Sequence, residues 1–215
     1  MSITPKFDYT NFKKQKMMNV IRPAGNLFCK TYYKVEFEGL ENIDRADAFI
    51  IAPNHVTEFD PLFIAMASKR LFYYIAKAEL FKNPILNKTI RSLNGFPVVR
   101  GIGDKNALNF AIEVIKRGDV LCIFPEGTRS PDGTPKEAKS GVGYIARRTG
   151  VDIIPTAIYM EDKNKKGSRV VVKFGEAFKY KDMGFTDNGK TSENKRVAKE
   201  TMDRIIALWE ECKCK

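Results

Sequence analysis

At 215 residues, 43% hydrophobic and 29% charged, the chain has the composition of one globular domain with a sizeable core, which excludes a disordered polypeptide. Lysine and arginine number 37 against 26 acidic residues, and the net charge of +11 asks for an anionic partner (nucleic acid, an anionic bilayer or a phosphorylated substrate) without choosing among them. No apolar run reaches the roughly 18 residues of a membrane span, and the N-terminus lacks the apolar core and cleavage site of a secretory signal.

The first segment, residues 1–34, is basic: Lys6, Lys13, Lys14, Lys16, Arg22, Lys30 and Lys34 meet only Asp8. Met17, Ile21, Ala24, Phe28 and Tyr32 recur at helical spacing, Val20 and Leu27 widen the stripe, and Asn19, Arg22, Asn26 and Lys30 point away from it. Pro23 either kinks this helix or restarts it. An amphipathic helix of this kind either lies in the interface of an anionic bilayer or packs on the core.

From Val35 the pattern alternates. Strands are expected at Val35–Glu38 and Ala48–Ala52, the second followed by Asn54-His55-Val-Thr-Glu-Phe-Asp60. His55 is the only histidine, so any imidazole chemistry must use it, and imidazole as a side-chain type is the one suited to taking up a proton at neutral pH. Asp60 has two compatible roles, as helix N-cap before Pro61 or as the carboxylate that orients His55. A helix over Pro61–Lys69 and a strand over Phe72–Ala76 lead to Lys77-Ala-Glu79, where Lys77 is either a surface lysine or a cation for developing negative charge.

A helix over Pro84–Ser92 and a strand over Phe96–Val99 lead to Arg100-Gly-Ile-Gly103. Asn106 stands where a dinucleotide fingerprint needs its third glycine, so that reading is rejected, and Asp104 is expected to cap the helix Lys105–Lys116. Strand Val120–Phe124 runs into Phe124-Pro-Glu126-Gly127-Thr128-Arg129-Ser130, where Gly127 permits close backbone approach and Arg129 can fork onto a phosphate or carboxylate. A helix over Gly141–Arg148, strands over Asp152–Tyr159 (with Pro155 inside or beside it) and Arg169–Phe174, joined by a turn at Asp162–Ser168, and a last helix over Glu193–Cys212 complete the chain.

Short apolar runs such as those at residues 48–52 and 120–124 suit strands buried on both faces. The expected fold is therefore α/β, a mostly parallel mixed sheet flanked by helices, with residues 35–215 as the α/β domain and 1–34 as an N-terminal amphipathic helical segment. In such sheets sites form at the carboxyl ends of strands, where the polar segments fall. There is no nucleophile elbow, P-loop or H-E-x-x-H motif, so direct transfer with a general base is favoured over a covalent intermediate. The four cysteines (Cys29, Cys122, Cys212, Cys214) make no disulfide framework and read as a reducing compartment, and one histidine with the Cys212-x-Cys214 pair is too little for a metal site.

The ordered set Asn54–Asp60, Gly95–Arg100, Phe124–Ser130 and Ile153-Ile154-Pro155, with Lys77–Leu80, resembles the glycerolipid acyltransferase family, and especially bacterial 1-acylglycerol-3-phosphate acyltransferases. The resemblance spans residues from about 20 to 175. It implies that His55 deprotonates an acceptor hydroxyl and that Asp60 supports it. Arg129 and Arg100 hold the acceptor phosphate, Glu126, Gly127, Thr128 and Pro155 shape its pocket, and Lys77 steadies an oxyanion. Lysophosphatidic acid and acyl-CoA or acyl-carrier protein follow as substrates, with no cofactor and no metal. An anionic membrane surface follows as partner, at the cytoplasmic face of the cell membrane. The chain departs from the family's usual pattern at Thr57, commonly serine, and at Glu58, near which tryptophan or tyrosine is commoner; Glu58 stands to alter acceptor preference. A different glycerolipid acceptor is the nearest rival reading. A nucleic-acid module is the rival suggested by charge, but no reader motif supports it, so no nucleic-acid partner is expected.

Overall fold

The computed structural model describes residues 7–10, 12, 17–101, 103–162 and 165–214. In chain order the elements are α1 (Met17–Thr31), β1 (Lys34–Glu38), β2 (Ile50–Pro53), α2 (Asp60–Met66), β3 (Phe72–Lys77), α3 (Pro84–Ser92), β4 (Gly95–Val98), α4 (Lys105–Lys116), β5 (Val120–Cys122), α5 (Gly141–Thr149), β6 (Ile153–Met160), β7 (Arg169–Phe174) and α6 (Thr191–Lys213). The strands form one seven-stranded sheet in the order β1-β7-β6-β2-β5-β3-β4.

Connection length sets strand direction. From β2 to β6 each strand reaches the next through a helix, which gives parallel pairing across β4, β3, β5, β2 and β6. The short return from β6 to β7 forces an antiparallel pair, Thr156 opposite Phe174 through Met160 opposite Val170. β1 then pairs parallel to β7, so these two strands run against the other five, with β1 at the edge. The sheet is the mostly parallel mixed sheet expected, with all seven strands within about two residues of their expected bounds. β5 is the shorter one: it ends at Cys122 because Ile123 and Phe124 already turn into the loop.

Alternation along each strand feeds two cores. Ile50, Tyr73, Phe96, Leu121 and Ile153 face α4, α5 and α6. Phe49, Ile51, Phe72, Cys122 and Ile154 face α1 and α2. Helix starts follow local chemistry: the Asn83 side chain accepts from the N–H of Ile85 and Leu86 ahead of Pro84, and Asp104 accepts from Asn106 and Ala107, as its position before α4 predicts.

The N-terminal region binds both faces. α1 continues through Pro23 without a break. Its Gly25 lies so close to α2 that a Cβ there would come within 2.9 Å of the Met66 sulfur, and Cys29 is buried. Arg22 does not point away, as its helical position suggested. Its guanidinium turns inward and donates to the carbonyls of Lys69 and Arg70 beyond the end of α2, where backbone acceptors lack helical partners. Of the apolar stripe, Val20 and Leu27 face outward at 74% and 63% exposure. On the opposite core Phe7, Tyr9 and Phe12 pack against Phe110, and the Tyr9 hydroxyl donates to the Pro97 carbonyl at 3.0 Å. Lys6, Lys13, Lys14 and Lys16 lie outside the described residues. Among the described residues no helix is long and apolar enough to cross a membrane.

Candidate active site

The loops after β2 and β5, neighbouring parallel strands, meet at the carboxyl end of the sheet, and His55 sits where they meet. Its Nδ1 lies 2.7 Å from Asp60 Oδ2, and Asp60 has no exposed surface. A carboxylate only accepts, so the neutral ring donates through Nδ1–H. Nε2 has no hydrogen-bond partner among the described residues, and the side chain is 15% exposed. Phe124 stacks on the ring at 4.1 Å between centroids.

Asp60 is not the N-cap of α2. Its carboxylate faces back along the chain: Oδ2 accepts from the N–H of Val56 (2.6 Å) and Thr57 (3.0 Å), and Oδ1 from the Thr57 hydroxyl (2.9 Å). These bonds close the 55–60 loop around the carboxylate and compensate the burial of its charge. The Thr57 hydroxyl also accepts from the Phe59 N–H at 3.2 Å, so both neighbours of Glu58 are tied down.

The second loop clamps the backbone of His55 from both sides. Glu126 Oε1 accepts the His55 N–H at 2.9 Å, and the Ser130 N–H donates to the His55 carbonyl at 2.8 Å. Gly127 turns this loop at φ 67°, in the left-handed region, with Lys139 packed so close that a Cβ would meet it at 3.1 Å. Glu126 is 2% exposed, and burial pushes its carboxyl up from the ordinary 4.5 to about 7 against the pull of the His55 and Lys136 N–H groups. Its Oε2 has no partner among the described residues.

Over the loop that follows His55 lies an open cleft of about 320 Å³ bounded by Tyr33, residues 56–59, Arg129, Ser130 and Pro131; the His55 ring is not part of its lining. Arg129 Nη1 donates to Glu58 Oε2 at 2.7 Å, and both side chains are more than half exposed. Arg100 is near enough that, after burial, the Arg129 charge helps to lower its pKa, with Glu79 opposing. Burial pushes the Tyr33 hydroxyl up, helped by Tyr32, Glu58 and Asp60.

The structure therefore gathers His55, Asp60, Glu126, Gly127, Thr128 and Arg129, with Arg100 at the edge. Thr128 is exposed on the outer turn. Glu126 is turned to the His55 backbone rather than to the cleft. Lys77 is half-exposed, with Glu79 3.5 Å away. Pro155 stands inside β6 opposite Ala52, buried, its carbonyl accepting from the Gly175 N–H at 2.8 Å, which is a place in the sheet rather than a lining position. Phe124, Ser130 and Tyr33 were not among the residues singled out as a site. Phe124 and Ser130 are the two ends of the Phe124–Ser130 run, and that run is the local signal for them. Nothing local marked Tyr33. Asn54, buried, bridges both backbone groups of Ile158 and fixes the end of β2 against β6. Cys122 lies beneath the site, its thiol raised well above its ordinary value by burial and by Asp60; burial also lifts Cys29 to about 11.

A family model described as Acyltransferase matches residues 34–159. The chain is 31% identical over 170 residues to the 1-acyl-sn-glycerol-3-phosphate acyltransferase of Streptococcus pneumoniae, which covers 75% of this chain and 62% of that protein. It is 29% identical over 129 residues to a chloroplastic 1-acyl-sn-glycerol-3-phosphate acyltransferase of Arabidopsis thaliana, covering 59% of this chain and 36% of that one. The chain thus spans between about a third and three fifths of the length of these curated relatives. The crystal structure of the 1-acyl-sn-glycerophosphate (LPA) acyltransferase PlsC from Thermotoga maritima superposes with a TM-score of 0.74 at 32% identity, covering 92% of this chain and 80% of that one.

Proposed function

The chain belongs to the acyltransferase family, and on that premise we propose that it moves a fatty acyl group from acyl-CoA or acyl-carrier protein to the sn-2 hydroxyl of 1-acylglycerol 3-phosphate, giving phosphatidic acid, with His55 as general base. The observation that carries this reading is the 2.7 Å bond from His55 Nδ1 to the buried Asp60, which leaves Nε2 as the nitrogen available to a substrate.

In this reading Nε2 takes the proton of the acceptor hydroxyl as its oxygen attacks the thioester carbonyl. The tetrahedral intermediate collapses, the C–S bond breaks, and the thiolate recovers the proton from the imidazolium. Asp60 holds the ring in one tautomer and stabilises its charged form. Arg129 and Arg100 hold the acceptor phosphate, a remote group whose binding aligns the hydroxyl. Lys77 and nearby N–H groups steady the oxyanion. The buried, raised thiols of Cys29 and Cys122 are poor nucleophiles at neutral pH, which supports direct transfer over an acyl-cysteine. The reaction needs no cofactor. The outward apolar residues of α1 and the net charge of +11 support docking on an anionic membrane surface, peripherally at the cytoplasmic face.

The test is thiol release from acyl-CoA with lysophosphatidic acid as acceptor. His55→Ala is expected to lose at least ~100-fold in rate, the lower bound for a positioned base. A variant that keeps its rate removes the mechanism. Arg129→Ala is expected to weaken acceptor use far more than donor hydrolysis; equal effects on both remove the phosphate role.

A further inference from the structure

We propose that Glu58 tunes acceptor headgroup preference, narrowing the advantage of a phosphomonoester over a phosphate that also carries an ammonium group; this rests on the acyl-transfer reading for the site's use but not for its binding chemistry. A cleft built only for a dianionic phosphate would surround it with donors. Here the charged groups bounding the cleft are one arginine and one glutamate, with Arg100 at the edge of the site, and Arg129 and Glu58 already occupy each other at 2.7 Å. Any phosphate that binds Arg129 must displace the Glu58 carboxylate and then remain beside it.

The placement of Glu58 is held by its neighbours. Thr57 donates to Asp60 and accepts from the Phe59 N–H, so the turn that carries Glu58 is fixed to the same carboxylate that orients His55. The side chain itself is 67% exposed, and exposed ion pairs are weak, so the pair does not close the cleft. It acts as a repulsive element instead, which is how specificity is commonly obtained from charge. The aromatic rings of Tyr33 and Phe59 border the same cleft. A carboxylate beside aromatic faces suits an ammonium cation, while Arg129 suits the phosphate of the same headgroup. An Arg–Glu pair is thus complementary to a zwitterionic phosphodiester.

Glu58→Gln keeps size and polarity at an exposed position and removes only the charge. Calorimetric titration uses two soluble headgroups, glycerol 3-phosphate and glycerophosphoethanolamine, on the full chain. The ratio of their affinities is expected to move at least roughly threefold toward the phosphomonoester in Glu58→Gln. Turnover with the corresponding lysolipids should move the same way, through the acceptor KM and not the donor KM. An unchanged or opposite ratio, or no binding of either headgroup to either protein, overturns the proposal. Loss of acyl transfer in both proteins with the binding ratio shifted would instead count against the enzymatic reading alone.

Discussion

The carboxyl of Glu126 is under opposing demands. It is buried with one oxygen unpartnered, which favours the neutral acid, while its other oxygen accepts the N–H that fixes His55. Its acidity lies near 7 in the fold against an ordinary 4.5, so the folded chain binds more protons than the unfolded one between these values. Stability from this group is then complete below about 4.5 and is lost as pH rises through about 7. Glu126→Gln should flatten the fall in urea midpoint between pH ~5 and ~8 relative to the parent; parallel curves would contradict the burial argument. Gln still offers an oxygen to the His55 N–H and should keep most of kcat. Glu126→Ala should lose roughly tenfold or more in kcat, because a slightly misplaced base is a poor one. An effect confined to the acceptor KM would return Glu126 to the lining of the pocket. The Phe-Pro-Glu-Gly-Thr-Arg-Ser run marked this residue as important, but its sequence neighbours do not include the backbone it holds, which is 71 positions away.

At the scale of elements, periodicity placed α3, α4 and α5 within one residue of their bounds, since their caps and apolar positions are local signals. α1 is the instructive case. Its stripe was broad enough to serve either a core or a membrane, and the structure divides it. Gly25 and Cys29 pack inward, Arg22 is anchored to carbonyls, and Val20 and Leu27 are left outside. Sequence spacing fixes angular separation around a helix, not which angle meets the neighbour. Val20→Glu with Leu27→Glu is expected to abolish most cosedimentation with anionic vesicles while leaving the thermal midpoint within a few degrees of the parent, since both positions are exposed. Undiminished vesicle binding would place the membrane contact elsewhere. Truncation of the whole segment would be a poorer test, since it also removes Cys29 from the core.

For the whole molecule, described residues before β1 are part of both cores, Phe12 in one and Cys29 and Tyr33 in the other. Phe12 is 5% exposed and packs edge-on to Phe110 and Tyr73. Phe12→Ala should cost about 3–5 kcal/mol in urea unfolding, the usual range for a buried aromatic; a cost near zero would make the segment an appendage. The sequence by itself determined the alternation of strands and helices, the hairpin of β6 and β7, and the polar segments that follow β2, β3, β4 and β5, because hydrophobic period, turn chemistry and caps are properties of neighbours along the chain. Only the tertiary structure decided the order of strands, which sets the β2 and β5 loops side by side, and with it the hold of Glu126 and Ser130 on His55 and the capture of Arg129 by Glu58. Those contacts join residues some seventy positions apart, and nothing local in a chain encodes a partner that the sheet must first bring near.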